Sequence, residues 1–374
     1  MKTLLLTIIT MVTLQVVAQD TLQVVAQDTL QVEQPEKKMS WLRRTIRGFS
    51  YIDTNYVEPQ HYNWSVMLQA THSYDYYRLS STGDHSQSVT FSPKPTLKFG
   101  PYFGWRWVFL GYTFDLRRVD VGKKQKQELD LSIYAAQVGA DFYYRRTGSD
   151  YHIRDVKLGN NINTHNLEGV GFDGLSVGIT GLNVYYIFNH QRFSYPAAFA
   201  QSTMQKISCG SWMVGLGYIH NSLKFDHDKL AKLVQERTFQ QVELDSGLMF
   251  NSVKYSDINV SVGYAYNWVF AKHCLFCASL SLALAYKKSK GDVDEGGKKK
   301  LYGLDFDFNN VNIDGIGRFA VVYNNNRWYA GASAIVRSYN YHKSRFAANN
   351  LFGSLNMYVG YNFGARSGYK KSKK

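Results

Sequence analysis

Cysteine and proline are scarce in this chain, with three and six residues among 374. The three thiols, Cys209, Cys274 and Cys277, are too few for a disulfide framework. His273-Cys274-x-x-Cys277 has the look of a metal signature, but on a strand positions three apart point to opposite faces, and two further ligands are missing. No metal and no cofactor are therefore predicted. No run reaches the roughly 18 apolar residues that a transmembrane helix needs. Acid is in the minority, 29 Asp and Glu against 43 Lys and Arg, for a formal net charge of +14. The excess sits in runs at Lys123-Lys124-x-Lys126, Lys287-Lys288-x-Lys290, Lys298-Lys299-Lys300 and Lys370 to Lys374. Such runs form solvated loop faces, and in a membrane protein they meet lipid phosphates.

Aromatics are abundant, 28 Tyr and 22 Phe, while mean hydropathy is only −0.31. That combination is too polar for helical spans and rich in residues that favour a membrane interface. From Asp257 to Trp268 the chain alternates Ile258, Val260, Val262, Tyr264, Tyr266 and Trp268 against Asp257, Asn259, Ser261, Gly263, Ala265 and Asn267. After a break at Ala271-Lys272-His273, Phe276, Ala278, Leu280, Leu282, Leu284 and Tyr286 alternate against Cys277, Ser279, Ser281, Ala283 and Ala285. Strict period two marks a strand whose faces see different solvents. Each run outlasts the usual 5–6 residues of a globular strand and matches the roughly 9–11 that cross a bilayer. The predicted fold class is all-β, a closed antiparallel transmembrane β-barrel of about 12 strands, mostly even-numbered in this class.

The start, MKTLLLTIITMVTLQVVAQ, has a basic Lys2, an apolar segment and a small-residue cut after Ala18, and reads as an export signal. The unit TLQVVAQD at Thr13–Asp20 recurs at Thr21–Asp28, which offers a second cut after Ala26. The expected order is a signal over 1–18, an N-terminal arm with a short amphipathic helix over 19–60, a barrel over 61–364 and a basic tail over 365–374. Export makes nucleic acid an unsuitable partner; outer-membrane lipid and lipopolysaccharide are the expected surroundings.

Along the barrel, Trp64, Val66, Leu68 and Ala70 are predicted outward. Pro93 and Pro95 cannot donate to a ladder and predict a bulge or kink. Val108, Leu110, Tyr112, Phe114 and Leu116 are read outward, with Asp115 and Arg117 inward. Tyr134, Ala136, Val138, Ala140, Phe142 and Tyr144 follow outward, with Gln137, Asp141 and Arg145 inward. Thr147 to Asp173 reads as a long irregular connection. Between Leu175 and Asn189 the apolar register changes at Thr180-Gly181, from Val177 and Ile179 to Leu182, Val184, Tyr186 and Phe188; a one-residue bulge or a hairpin turn would explain it. Asp226 to Phe239 has helical spacing. Leu351 to Phe363 is a clean final stave.

Two local patterns carry a resemblance. Phe49-Ser50-Tyr51-Ile52-Asp53-Thr54-Asn55-Tyr56-Val57-Glu58-Pro59, continuing to Trp64, is one. The other runs from Tyr186-Ile187-Phe188-Asn189 through Phe193-Ser194-Tyr195-Pro196-Ala197-Ala198-Phe199-Ala200-Gln201 to Gly210-Ser211. Both resemble the family known as domain of unknown function 4421, found in gut-type Bacteroidetes. The resemblance implies an exported outer-membrane barrel over about Phe49 to Phe363 without an assigned activity.

Three functions fit these observations. A narrow pore or ligand-binding barrel would have a charged, partly filled lumen that takes a small solute. Asp115, Arg117, Asp141, Arg145, Arg318 and Tyr358 would line it, with Arg192, Tyr195, Gln201 and Gln205 as contacts if the Phe193–Gln201 segment folds inward. A membrane-embedded lipid or lipopolysaccharide hydrolase could use His220 and Ser222, an imidazole and a hydroxyl two apart on one strand face. A structural or surface-interaction barrel would use the Thr147–Asp173 loop.

Overall fold

The computed structural model describes residues 52–369, apart from 82–86, 106–107, 112–113, 116–126, 148–149, 160–161, 241, 292–299, 302–303, 306–310 and 344. The predicted signal, the N-terminal helix, Arg117, the Lys123–Lys126 run and the Lys370–Lys374 tail lie outside the described residues.

The chain is all-β. It opens with β1 (Val57–Pro59) and β2 (Tyr62–Ser81), then β3 (Ser88–Pro93) and β4 (Thr96–Trp105). Both β3 and β4 pair with the same side of β2, because Pro93 and Pro95 interrupt donation between them. Next come β5 (Val108–Gly111), β6 (Phe114–Asp115), β7 (Gln127–Tyr134), β8 (Val138–Arg146), β9 (Tyr151–Lys157), β10 (Gly171–Phe172) and β11 (Leu175–Ile187). A short helix α1 (Tyr195–Phe199) and β12 (Thr203–Gln205) precede β13 (Cys209–Phe225). Helix α2 (His227–Thr238), capped by Asp226 and ended by Phe239 in the left-handed region, leads to β14 (Ser252–Ala271) and β15 (Cys274–Gly291). After the two-residue strands β16 (Lys300–Leu301) and β17 (Leu304–Asp305), the chain closes with β18 (Val311–Asn324), β19 (Trp328–Lys343) and β20 (Phe346–Ala365).

Sixteen strands share one antiparallel sheet, ordered β10-β9-β3-β2-β20-β19-β18-β15-β14-β13-β11-β8-β7, with β4, β5 and β6 branching from β2. The free edges of this sheet border residues outside the described set. The sheet is rolled. Arg145 on β8 bonds Asp75 on β2, and Tyr143 on β8 bonds Tyr339 on β19, although neither pair of strands is adjacent.

The two faces are inverted relative to a water-soluble protein. Leu216 and Leu282 are 64% and 68% exposed, whereas Arg145 and Arg318 are 1% and 2% exposed. Among the described residues every tryptophan (Trp64, Trp105, Trp212, Trp268 and Trp328) is exposed and sits at the end of the roll where β2 begins and the short β14–β15 and β18–β19 turns lie. The opposite end is filled by an apolar cluster that includes Tyr77, Phe91, Val177, Ile179 and Phe250, covered by Leu230 and Val234 of α2.

Four expectations need correction. β11 pairs with β13 without a break from Leu175↔Phe225 to Ile187↔Met213, so there is neither bulge nor turn at Thr180-Gly181. Val177 and Ile179 are apolar because they face the apolar end of the interior; the interior changes composition, not the strand its register. The 147–173 connection contains β9 and β10, with β9 laddered onto β3. Tyr134 turns inward against Tyr195 and Phe199, because the turn at 135–137 separates β7 from β8. Lys287 belongs to β15 and is buried, while Lys288 faces out.

Candidate functional site

Most of the candidate side chains that are described lie in the interior, which is built in layers. At the turn end, the connection between β11 and β13 folds back into the roll as α1. Ser194 caps it by accepting from the Ala197 N–H, and Pro196, whose missing N–H is harmless there, stands in its first turn. Gln201 follows the helix at φ +56°, the left-handed region where glycine is usual. Its side chain explains the choice, since Nε2 donates to Tyr358 Oη (2.6 Å) and to the Ala198 carbonyl (3.1 Å). Tyr195 is fully buried and donates to Ser279 Oγ on β15 (2.8 Å).

The two motifs that carry the family resemblance interlock at this point. β1 pairs with β12, Val57↔Gln205. Gln205 is the hub. Its Oε1 accepts from Ser194 N (2.8 Å) and Asn267 Nδ2 (3.1 Å), and its Nε2 donates to the carbonyls of Arg192 (2.6 Å), Ile207 (2.9 Å) and Tyr56 (3.3 Å). Arg192 stays largely exposed, 3.7 Å from Asp53 and over the Tyr56 ring. His61 lies between Glu58 (3.0 Å) and a stacked Tyr369 ring; burial holds its imidazole below the ordinary histidine range, outweighing the carboxylate.

Above α1 lies a layer of buried charge. Arg145 bonds Asp75 at 2.6 Å and Asp130 at 2.9 Å. Arg318 on β18 pairs with Asp141 on β8 across the roll, and Ser132 donates to the same carboxylate (2.6 Å). Lys287 bonds Asp314 (2.9 Å). Arg337 is buried over the Tyr143 ring (5.1 Å), and its Nε makes no hydrogen bond among the described residues. Inward tyrosines fill the remaining width. The Tyr185 and Tyr143 rings lie over Gly139 and Gly181 on the facing strand, where any Cβ would overlap the ring. One interior cavity, of about 10 Å³, is lined in part by Tyr143, Asn183, Asn259, Asp314 and Tyr339. That is room for about one water.

The structure thus brings Asp141, Arg145 and Arg318 into one layer and Tyr195, Gln201 and Gln205 into the stopper beneath it. Asp115 is in β6, and its side chain lies outside the described set. His220 and Ser222 face outward on β13; His220 Nδ1 is 2.8 Å from Ser256 Oγ, not from Ser222. Asp75, Lys287, Asp314 and Arg337 escaped the sequence reading, which placed Asp257 and Asn267 on the polar register of β14 without giving them a role. The available signal was parity: Lys287 stands on the polar register of β15, opposite Asp257. Cys277 is buried, and among the described residues no cluster of His, Cys, Asp or Glu could hold a metal. No helix among the described residues is long and apolar enough to cross a membrane.

A comparison with curated proteins finds no match. Among solved structures, the chain is similar to the outer membrane protease OmpT of Escherichia coli, at 7% identity over 80% of this chain and 97% of that chain, TM-score 0.33. It is also similar to the P. putida toluene transporter TodX, at 7% identity over 81% and 91%, TM-score 0.23. The outer membrane protein OprG of Pseudomonas aeruginosa is similar at 9% identity over 82% and 99%, TM-score 0.23. The sequence profile of the family described as Domain of unknown function (DUF4421) matches residues 51–363, from the first interlocked motif to the last stave, and the chain belongs to that family.

Proposed function

We propose that this protein is an integral outer-membrane β-barrel with a filled lumen, a fixed scaffold that presents its two rims and does not conduct. The inverted faces support membrane insertion. Ile258 to Trp268 rises about 34 Å along the strand, or about 26 Å at a tilt near 40°, close to the roughly 25 Å apolar band of such barrels. The tryptophan ring at the turn end fits one interface, the periplasmic one in proteins whose short turns lie on that side. An outward groove of about 860 Å³, lined by Val66, Leu68, Phe103, Trp328, Val359 and Tyr361, is apolar as hydrocarbon contact requires.

The observation that carries the non-conducting reading is the interior itself. Ion pairs cross it, inward tyrosines fill its width, and α1 stoppers one end. A narrow pore gated by α1 is the second reading, favoured by a middle layer that is charged, with the Nε of the buried Arg337 lacking a partner among the described residues. Planar-bilayer recording on the purified protein and on a variant lacking residues 194–201 separates them. The scaffold is expected to be silent in both forms. Conductance only after the deletion would favour the gated pore, and steady conductance of the intact protein would overturn the stoppered reading altogether.

A further inference from the structure

Cross-strand register places an unusual set of side chains together on the outward face at the loop end. One row of paired positions runs Phe142, Leu182, Tyr218, Ile258, Tyr286 and Val311 across β8, β11, β13, β14, β15 and β18. It is the last row of the apolar band. The next outward row reads Tyr144, Thr180, His220, Ser256 and Lys288, and the one beyond reads Arg146, Gly178, Ser222 and Lys254, with Lys224 a further step up β13. Arg146, Lys224, Lys254 and Lys288 are exposed, and among the described residues their side chains make no hydrogen bond or ion pair. Neither of these two rows contains a carboxylate. From Arg146 to Lys254 the row crosses three interstrand gaps, about 14 Å.

We infer that this patch binds the phosphate groups of lipopolysaccharide in the outer leaflet, an inference that rests on the membrane reading above. Cations seated on the edge of a hydrocarbon-facing band stand at headgroup depth, where each attracts lipid phosphate. Hydroxyl and imidazole donors from Tyr144, Thr180, His220 and Ser256 fill the row next to the hydrocarbon, and Ser222 adds one among the cations beyond, as the sugar and phosphate oxygens of such a glycolipid require. The pairing of imidazole and hydroxyl at His220 and Ser256, 2.8 Å apart, then serves headgroup recognition, with no acid in either row to complete a hydrolytic relay.

The test uses the full-length protein in nanodiscs of phosphatidylcholine doped with bisphosphorylated lipid A or its dephosphorylated form, with bound glycolipid counted by native mass spectrometry. Wild type is expected to retain the phosphorylated form selectively. Lys224→Ser/Lys254→Ser/Lys288→Ser should retain it at least tenfold less, and the corresponding triple Lys→Arg variant should restore it. Equal retention by wild type and the serine variant, or indifference to phosphorylation, overturns the inference. If wild type does not enter nanodiscs at all, the membrane reading itself has failed, which is a separate and visible outcome.

Discussion

Gln205 gathers into one buried amide the bonds that tie β12, α1, β14 and the lead-in strand β1 together. Gln205→Ala leaves the Ser194 N–H and the Asn267 amide without that acceptor, at a cost of about 1–3 kcal/mol for each buried group left unsatisfied. The expected outcome is faster proteolysis in the 52–60 lead-in with the staves still protected, read by limited digestion in detergent. Gly181 tests the tyrosine layer in the same way. Gly181→Val puts branched carbons where the Tyr143 ring lies, so Tyr143 must leave its 2.8 Å bond with Tyr339, a loss of about 1–3 kcal/mol in urea unfolding. His61 supplies a pH test. Its imidazole titrates below the ordinary histidine range in the folded protein, so the unfolded chain binds more protons as pH falls through that range, and stability drops in the same direction. Protease sensitivity at the turn end should rise from about pH 7.5 to 5.5, and His61→Gln should flatten that slope.

Single elements were the level at which the sequence was most readable. Period two along Ile258–Trp268 and Cys274–Tyr286 found β14 and β15, because side chains that alternate between two environments leave a local trace. The trace misleads where the environment changes along a strand: Val177 and Ile179 face the same interior as Asn183 and Tyr185, yet one half of that interior is apolar and the other polar. It is silent where a strand is short, as in β9, and for Ser194 and Asn267, whose roles depend on partners 73 residues apart. The inward fold of Phe193–Gln201 was legible only as a conditional, since its wall contacts come from β15 and β20. Spin labels placed singly from 258 to 268, in a background lacking the three cysteines, give the matching prediction. Oxygen accessibility in vesicles should peak at 258, 260, 262, 264, 266 and 268; a flat profile or the opposite parity would contradict the lipid-facing assignment.

At the scale of the molecule, the ion pairs of the interior do something the backbone ladder cannot, because they join walls that are far apart in the sheet. Four strands, β11, β13, β14 and β15, separate β8 from β18 along the sheet, yet Arg318 meets Asp141 across the interior. Removing such charges from water costs several kcal/mol per ion, which their attraction repays only when the geometry is good. A buried pair is therefore a poor source of stability and a strong source of register, holding the roll to one cross-section around its tyrosine layer. Two variants make this measurable. Asp141→Asn alone leaves the Arg318 guanidinium buried without its counter-charge and is expected to lose about 3–5 kcal/mol, whereas Asp141→Leu/Arg318→Met, which removes both charges at similar volume, should fall within about 1 kcal/mol of wild type or exceed it. Urea unfolding from lipid vesicles followed by tryptophan emission reads both values, since Trp212, Trp268 and Trp328 leave the convex face when the staves separate. If the double variant is as unstable as the single one, the pair is a net contributor to stability. If it is stable but its native ensemble broadens, seen as split spin-label distances between β8 and β18, the pair fixes the shape of the interior.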